Sequence, residues 1–351
     1  MKITFITASL GSGGSERVVS LLSNSLSQRG HQLEIICLKY NDVFYSLAEN
    51  IKITLAKKEV LSSNPIAEIR WLRKHIKKSE TNIVIAFTEG VYCMTICSLL
   101  GTNIPVISSE RNDPSSFSIP RKILRKIFLP ITDWLVVQTQ RIKETLSKRM
   151  QKKTSIIVNP VNEDVFNVKD IERSNQIISV ARLYPQKNQS MLIHAFSMLS
   201  NDFPDWNLVI YGEGPSREDL EDEIKSLKMS ERIKLPGRSK DVIDRLNESK
   251  IFCMSSDYEG MSNSMIEAVC VGLPIVSTRV SGSDELVSNE ENGFLVECGD
   301  TNGMANSLRK LMSNADLCKQ YGKESKKRAE NFKTDIIVSQ WETLIKEVLN
   351  H

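Results

Sequence analysis

Short apolar runs alternate along the chain with longer stretches whose apolar residues recur every three or four positions. Ile3 to Ala8 reads as a buried strand, Ser9 to Ser15 as a Gly/Ser loop, and Glu16 to Gln28 as a helix with Val18, Val19, Leu22 and Leu26 on one face. Arg29-Gly30-His31 ends that helix. Further strands are predicted at 33–38, 83–87, 105–108, 134–137 and 156–158, separated by helices around 66–79, 90–100, 120–129 and 140–149. The second half repeats the alternation. Its strands fall near 177–180, 207–211, 233–235, 251–254 and 274–277, and its helices near 188–200, 215–228, 239–247 and 263–271. Repeated strand-helix-strand units predict α/β domains with parallel sheets covered on both faces.

Residues 159–175, with Pro160, four acids and no apolar periodicity, read as a linker. The expected organisation is two doubly wound, Rossmann-like domains, 1–165 and 170–330, facing a cleft, with ligands at the carboxyl ends of the strands. The tail from 301 to 351 reads as helical and highly charged, and its last helix, around 335–351, is a candidate to return to the first domain. A length of 351 residues, 40% hydrophobic and 25% charged, suits two domains with their own cores and excludes a disordered chain. No apolar run approaches the ~20 residues of a spanning helix. The opening strand is too short for a signal peptide, so a soluble cytoplasmic protein is expected. Seven cysteines without a C-x-x-C pair and only four histidines (31, 75, 194 and 351) argue against a disulfide framework or a zinc site. His31 and His194 read as ordinary turn and helix residues.

Charge divides the chain. Residues 1–165 hold 23 Lys and Arg against 14 Asp and Glu, a net of +9, while the remainder carries a net of −6. A basic half points to nucleic acid, an anionic membrane or a phosphorylated ligand.

Gly11-Ser12-Gly13-Gly14 follows the first strand and opens a helix, a place for an anion on backbone N–H groups or simply a tight connection. A dinucleotide fingerprint does not fit: the third glycine would fall at Glu16, and the second strand runs into Leu38-Lys39-Tyr40 with no acid for a ribose. In the second half, Arg182 and Lys187 flank one strand-end loop and together suit a diphosphate, or else form a solvated surface pair. Further on, Asp257-Tyr258-Glu259-Gly260-Met261-Ser262-Asn263 leads into a helix carrying Glu267 one turn in. N–H groups at that helix start favour phosphate. Because Met254 and residues 269–273 are apolar, an acid at the start of this segment needs a partner such as a ligand hydroxyl.

These residues resemble the retaining glycosyltransferase family 4 of the GT-B fold. Its signature, Glu, seven residues, Glu, after an Arg and a Lys, is matched by Glu259 and Glu267 after Arg182 and Lys187. Tyr211-Gly212-Glu213-Gly214-Pro215, Leu235-Pro236-Gly237-Arg238 and the segment 272–278 support it, and the resemblance runs from the Gly11 loop to about residue 320. It implies that Arg182 and Lys187 hold the donor diphosphate, that Glu259 contacts the sugar hydroxyls and Glu267 the ribose, and that Gly237 and Arg238 meet the base. Gly13 and Gly14 would lie at the diphosphate, and Gly260, Met261, Ser262 and Asn263 would line the donor. The first domain would then bind the acceptor and the second a nucleotide sugar, with UDP expected.

One departure stands out. Many relatives carry a His at the end of the fourth strand of the first domain, where this chain has Ser109-Glu110-Arg111-Asn112-Asp113. Either Arg111 supplies positive charge, or Glu110 orients the attacking hydroxyl, or the segment is a salt-bridged turn capped by Asp113. The resemblance implies transfer without a protein nucleophile, the leaving diphosphate taking the acceptor proton. No metal is demanded, because cations and N–H groups can neutralise the diphosphate.

Residues 119–129 interleave Ile123, Leu124, Ile127 and Phe128 with Arg121, Lys122, Arg125 and Lys126, an amphipathic cationic helix suited to an anionic membrane or packed by its apolar stripe into the core. A second such segment spans 69–78. Nucleic acid would use the same charge, but no aromatic stacking series or groove-reading motif accompanies it. The expected activity is transfer of a sugar to a growing lipid-linked or surface glycan, as in lipopolysaccharide or capsule synthesis, on the inner face of the membrane. The alternatives are a UDP-sugar epimerase of the same fold, which the scarcity of His disfavours, and a non-catalytic binder of anionic lipid or nucleic acid.

Overall fold

The computed structural model describes residues 1–11, 13–39, 43–56 and 64–350. Ser12 of the glycine loop, Tyr40 after the second strand and His351 lie outside the described residues. The chain divides into two compact units, Met1–Pro160 with Thr334–His351, and Val161–Lys333.

Unit 1 is a seven-stranded sheet of β1 (Lys2–Thr7), β2 (Gln32–Cys37), β3 (Lys52–Leu55), β4 (Ile83–Phe87), β5 (Val106–Ser109), β6 (Trp134–Val137) and β7 (Thr154–Ile156). Its order is β3-β2-β1-β4-β5-β6-β7, and every pair is parallel. β3 has no counterpart among the predicted strands. It is an edge strand of four residues with no buried position, so no apolar run marks it. As a result the segment 109–113 follows the fifth strand and not the fourth.

The helix expected over 140–149 is two short ones, Gln140–Glu144 and Lys148–Gln151. Each has its own side-chain cap: Thr139 accepts from Ile142 N at 3.1 Å and Ser147 from Met150 N at 3.4 Å. A hydroxyl that satisfies a first-turn N–H starts a new helix in place of continuing the old one.

The two basic helices have opposite fates. Helix Pro65–Ser79 turns Leu72 and Ile76 into the core beside Ile96 and Leu99, so its charges are a solvated outer face. Helix Ile119–Phe128 buries none of its residues. Its Ile119, Ile123 and Ile127 are 75%, 53% and 54% exposed.

Helix Thr334–Asn350 packs Ile337, Val338, Trp341, Leu344 and Ile345 against Leu22 and Leu26 of helix Gly14–Gln28 and against strand residues such as Phe5 and Phe87. Arg29 and His31 pair with its Glu342 at 3.2 and 3.3 Å.

Unit 2 holds β8 (Ser174–Val180), β9 (Asn207–Tyr211), β10 (Ile233–Gly237), β11 (Ser249–Met254), β12 (Ile275–Thr278) and β13 (Gly293–Val296) in the parallel order β10-β9-β8-β11-β12-β13. β13, also unpredicted, offers only three apolar residues after Gly293. The segment expected as a linker over 159–175 is mostly not one: Val161 and Val165 are buried, Glu163–Phe166 form a 3-10 turn, and β8 begins at Ser174. Val161 and Val165 are one helical turn apart, too short a pattern to mark an element.

Candidate functional site

In an open parallel sheet, ligands gather where the strand order reverses, outside the carboxyl ends of the two strands that flank the reversal. In unit 2 that point lies between β8 and β11. The loops leaving these strands carry Arg182 and Lys187 on one side and Glu259 on the other.

After β8 the chain makes a 3-10 turn, Pro185–Lys187, and Asn188 takes the left-handed conformation (φ 45) to cap helix Gln189–Ser197 through Met191 N. Asn188 Nδ2 donates to Asp257 Oδ1 at 2.8 Å, and Ser255 Oγ donates to the Lys187 carbonyl at 3.0 Å, which ties this turn to the loop after β11. Lys187 Nζ forms an ion pair with Glu259, and Ser256 Oγ donates to the same carboxylate at 3.1 Å. Both side chains are largely buried. Arg182 is different: it is exposed, stacked 4.9 Å above the Tyr184 ring, with no carboxylate partner among the described residues. A guanidinium held by a ring keeps its fork free for an anion.

Helix Asn263–Val271 starts in the same place. Ser262 Oγ accepts from Met265 N at 3.3 Å, and Ser264 Oγ donates to the Val180 carbonyl at 2.7 Å, so the helix N-terminus is fastened to the end of β8. Gly260 and Met261 are buried, Asn263 is half-buried, and Glu267 is 2% exposed.

The glycine signatures have a steric basis. Gly212 has φ 148, and a Cβ on it would fall on the Ala181 carbonyl oxygen; one on Gly214 would fall on that of Leu183. Close approach lets Leu183 N donate to the Glu213 carbonyl and Ser216 N to that of Leu183, at 3.0 and 3.1 Å. Gly237, at φ 90, accepts from Gly212 N at 2.9 Å. Beside it, Arg217 grips Glu213 with Nε and Nη2 at 2.9 and 2.7 Å and lowers its pKa, chiefly through these hydrogen bonds. The Arg238 charge acts in the same direction. Reading the motifs alone overlooked Arg217, although its i,i+4 spacing from Glu213 was visible.

Unit 1 alters several expectations. Glu16 folds back over the glycine loop: its carboxylate accepts from Ser9 Oγ and lies where a side chain on Gly13 would stand. A diphosphate at Gly13 and Gly14 would meet that negative charge. Glu110 is 0% exposed, and Arg125 donates to both its oxygens, Nε at 2.8 Å and Nη2 at 3.0 Å, with Tyr92 Oη at 3.1 Å. It does not face an acceptor hydroxyl. Asp113 caps Pro114–Ser116 through Ser115 N at 2.8 Å, so a salt-bridged, capped turn forms here. Arg111 points inward as well. Its Nη1 donates to Asn159 Oδ1 at 2.6 Å, and its guanidinium lies 5.4 and 5.8 Å from the rings of Phe87 and Trp341. Burial lowers its pKa to about 9, which leaves it charged at neutral pH.

Among the described residues no helix is long and apolar enough to cross a membrane. The model for "Glycosyltransferase Family 4" matches residues 12–165, and that for "Glycosyl transferases group 1" matches residues 161–328. The chain is 28% identical to a Campylobacter jejuni GalNAc-α-(1→4)-GalNAc-α-(1→3)-diNAcBac-PP-undecaprenol α-1,4-N-acetyl-D-galactosaminyltransferase, over 100% of this chain and 99% of that one. It is 29% identical to a second Campylobacter jejuni enzyme, N-acetylgalactosamine-N,N'-diacetylbacillosaminyl-diphospho-undecaprenol 4-α-N-acetylgalactosaminyltransferase, over 94% of this chain and 95% of that one. The solved structure of Anabaena Alr3699/HepE in complex with UDP and glucose superposes with a TM-score of 0.86 at 17% identity, covering 99% of each chain, which places this fold among the GT-B structures.

Proposed function

The chain belongs to glycosyltransferase family 4, and from that membership we propose that it moves a sugar from a UDP-linked donor, with retention, to a growing glycan carried on a polyprenyl diphosphate. The observation that carries this is the unit 2 switch point, where an exposed Arg182, Lys187 and the start of helix Asn263–Val271 converge around Glu259. Two cations and a helix N-terminus suit a nucleotide diphosphate and can neutralise it as it leaves, without a metal.

In this reading Arg182 and Lys187 bind the diphosphate oxygens. Glu259, held by Lys187 and Ser256, accepts hydrogen bonds from the sugar hydroxyls. Glu267 takes the ribose, Gly237 and Arg238 the base, and Gly260, Met261, Ser262 and Asn263 line the donor. Unit 1 receives the acceptor, and the leaving diphosphate accepts the acceptor proton. The relatives' names support a lipid-linked acceptor. The exposed apolar and basic faces of helix Ile119–Phe128 support a peripheral seat on the anionic, cytoplasmic face of the membrane.

The test is a matrix of UDP-sugars against polyprenyl diphosphate glycans, read by product mass and by the anomeric configuration of the new bond. The expected result is UDP release that needs both substrates, yields an α-linked product from an α-linked donor and survives EDTA. UDP release without acceptor, an epimerised donor, an inverted product or Mg-dependent activity would each overturn the corresponding part.

A further inference from the structure

The switch point of unit 1 lies between β1 and β4. Thr88 and Glu89 follow β4 directly. Thr88 is a β-branched residue at φ 73, ψ 154, a backbone conformation such residues rarely adopt and one that tends to mark functional turns. It is pinned by Thr88 N donating to the Ser109 carbonyl at 2.9 Å and by Tyr92 N donating to the Thr88 carbonyl at 3.0 Å.

This turn sets Glu89 at the start of helix Glu89–Leu99, 6% exposed. No hydrogen bond reaches its carboxylate among the described residues, and the nearest cation, Arg121 Nε, stands 3.7 Å away. Yet the carboxylate is not sealed in: its side chain keeps 7% of its surface exposed. The next residue, Gly90, is exposed, with no atom within 4 Å of where a side chain would begin. Glu110, equally buried, is satisfied by three hydrogen bonds from Arg125 and Tyr92. A carboxylate is an acceptor only, and burying one without donors is unfavourable unless a ligand brings them. The ligand's charge can also be read: the β1 side of the same switch point presents Glu16, so two carboxylates border it and a phosphate would be repelled. What fits is a neutral group rich in O–H and N–H donors.

We infer that Glu89 is an acceptor-binding residue, its carboxylate taking hydrogen bonds from hydroxyl or amide groups of the terminal acceptor sugar. The assignment rests on the reading of unit 1 as the acceptor side. Its test uses the UDP-sugar and polyprenyl diphosphate glycan pair that the wild-type protein turns over fastest in the matrix above. Glu89→Gln and Glu89→Ala are expected to raise KM for the glycan at least tenfold, with Gln the milder, and to leave KM for the UDP-sugar within twofold. The melting temperature of Glu89→Gln should hold or rise, because a buried charge held only by a long ion pair to Arg121 and by no hydrogen bond among the described residues is removed. An unchanged glycan KM, equal rises in both KM values, or a melting temperature several degrees lower would overturn the assignment and leave Glu89 a structural group. A wild-type protein that turns over no pair would instead remove the acceptor-side reading, and this assignment with it.

Discussion

Arg125 reaches from helix Ile119–Phe128 to Glu110 through two parallel N–H donors, at 2.8 and 3.0 Å, and closes over a carboxylate with no exposed surface. One cation of this exposed basic helix is therefore a structural clamp, while its neighbours Lys122 and Lys126 are exposed. Removing one partner of a buried ion pair leaves the other charge uncompensated, which costs about 3 to 5 kcal/mol. Arg125→Gln is expected to lower the melting temperature on the order of 10 °C, and Lys126→Gln to leave it unchanged, by calorimetry or circular dichroism.

The same clamp sets how membrane docking is tested. Lys122→Gln with Lys126→Gln should weaken binding to vesicles containing anionic lipid by roughly 30-fold, at about 1 kcal/mol per charge. Ile123→Ser with Ile127→Ser should weaken binding to neutral vesicles as well, because those side chains are half exposed and have no core to lose. Raising salt should release the wild-type protein and change the double Lys variant little. Sedimentation with vesicles reads all three, and unaltered binding would make the helix an ordinary solvated face.

Lys187 and Glu259 are in contact, so their effects should not add. Glu259→Ala is expected to remove most transfer, a loss of about 2.7 to 4 kcal/mol in transition-state stabilisation, or 10²- to 10³-fold in rate. Lys187→Ala and Arg182→Ala should act on UDP-sugar binding. Because Lys187→Ala also strands Glu259, the double variant should be less impaired than the sum of the singles, whereas Arg182→Ala with Glu259→Ala should approach additivity. Full turnover in Glu259→Ala would remove the site assignment.

Acid should loosen unit 1 at its returning helix. Hydrogen bonds from Lys346 first, then Arg29 and His31, hold the Glu342 carboxyl down to about 2, well below its ordinary value near 4.5. A carboxyl depressed in the folded state binds its proton more readily when unfolded. The stability it lends is present in full above pH 4.5 and is lost as pH falls toward 2. Glu342→Gln should flatten the pH dependence of stability in that window and lower stability at pH 7. A pH profile identical to that of the wild-type protein would show that the clamp contributes nothing.

What the sequence by itself determined is what local chemistry dictates. Apolar runs with helical periods between them require parallel sheets, and helix Asn263–Val271 is bounded as its Ser cap and its terminal Gly272 demand. The spacing of Arg182, Lys187, Glu259 and Glu267 is a property of the chain alone. Only the tertiary structure decided which face of an amphipathic helix is covered. Segments 65–79 and 119–128 share one pattern, but Leu72 and Ile76 join Ile96 and Leu99 of another helix in the core, while Ile123 and Ile127 stay more than half exposed. It also decided between two acids at neighbouring strand ends. Glu110, within the conspicuous charged segment, is neutralised by a residue fifteen positions later, whereas Glu89, with nothing notable around it in sequence, is buried with only a 3.7 Å ion pair to Arg121 and no hydrogen bond among the described residues. Burial and pairing depend on residues distant along the chain, and no local pattern encodes them.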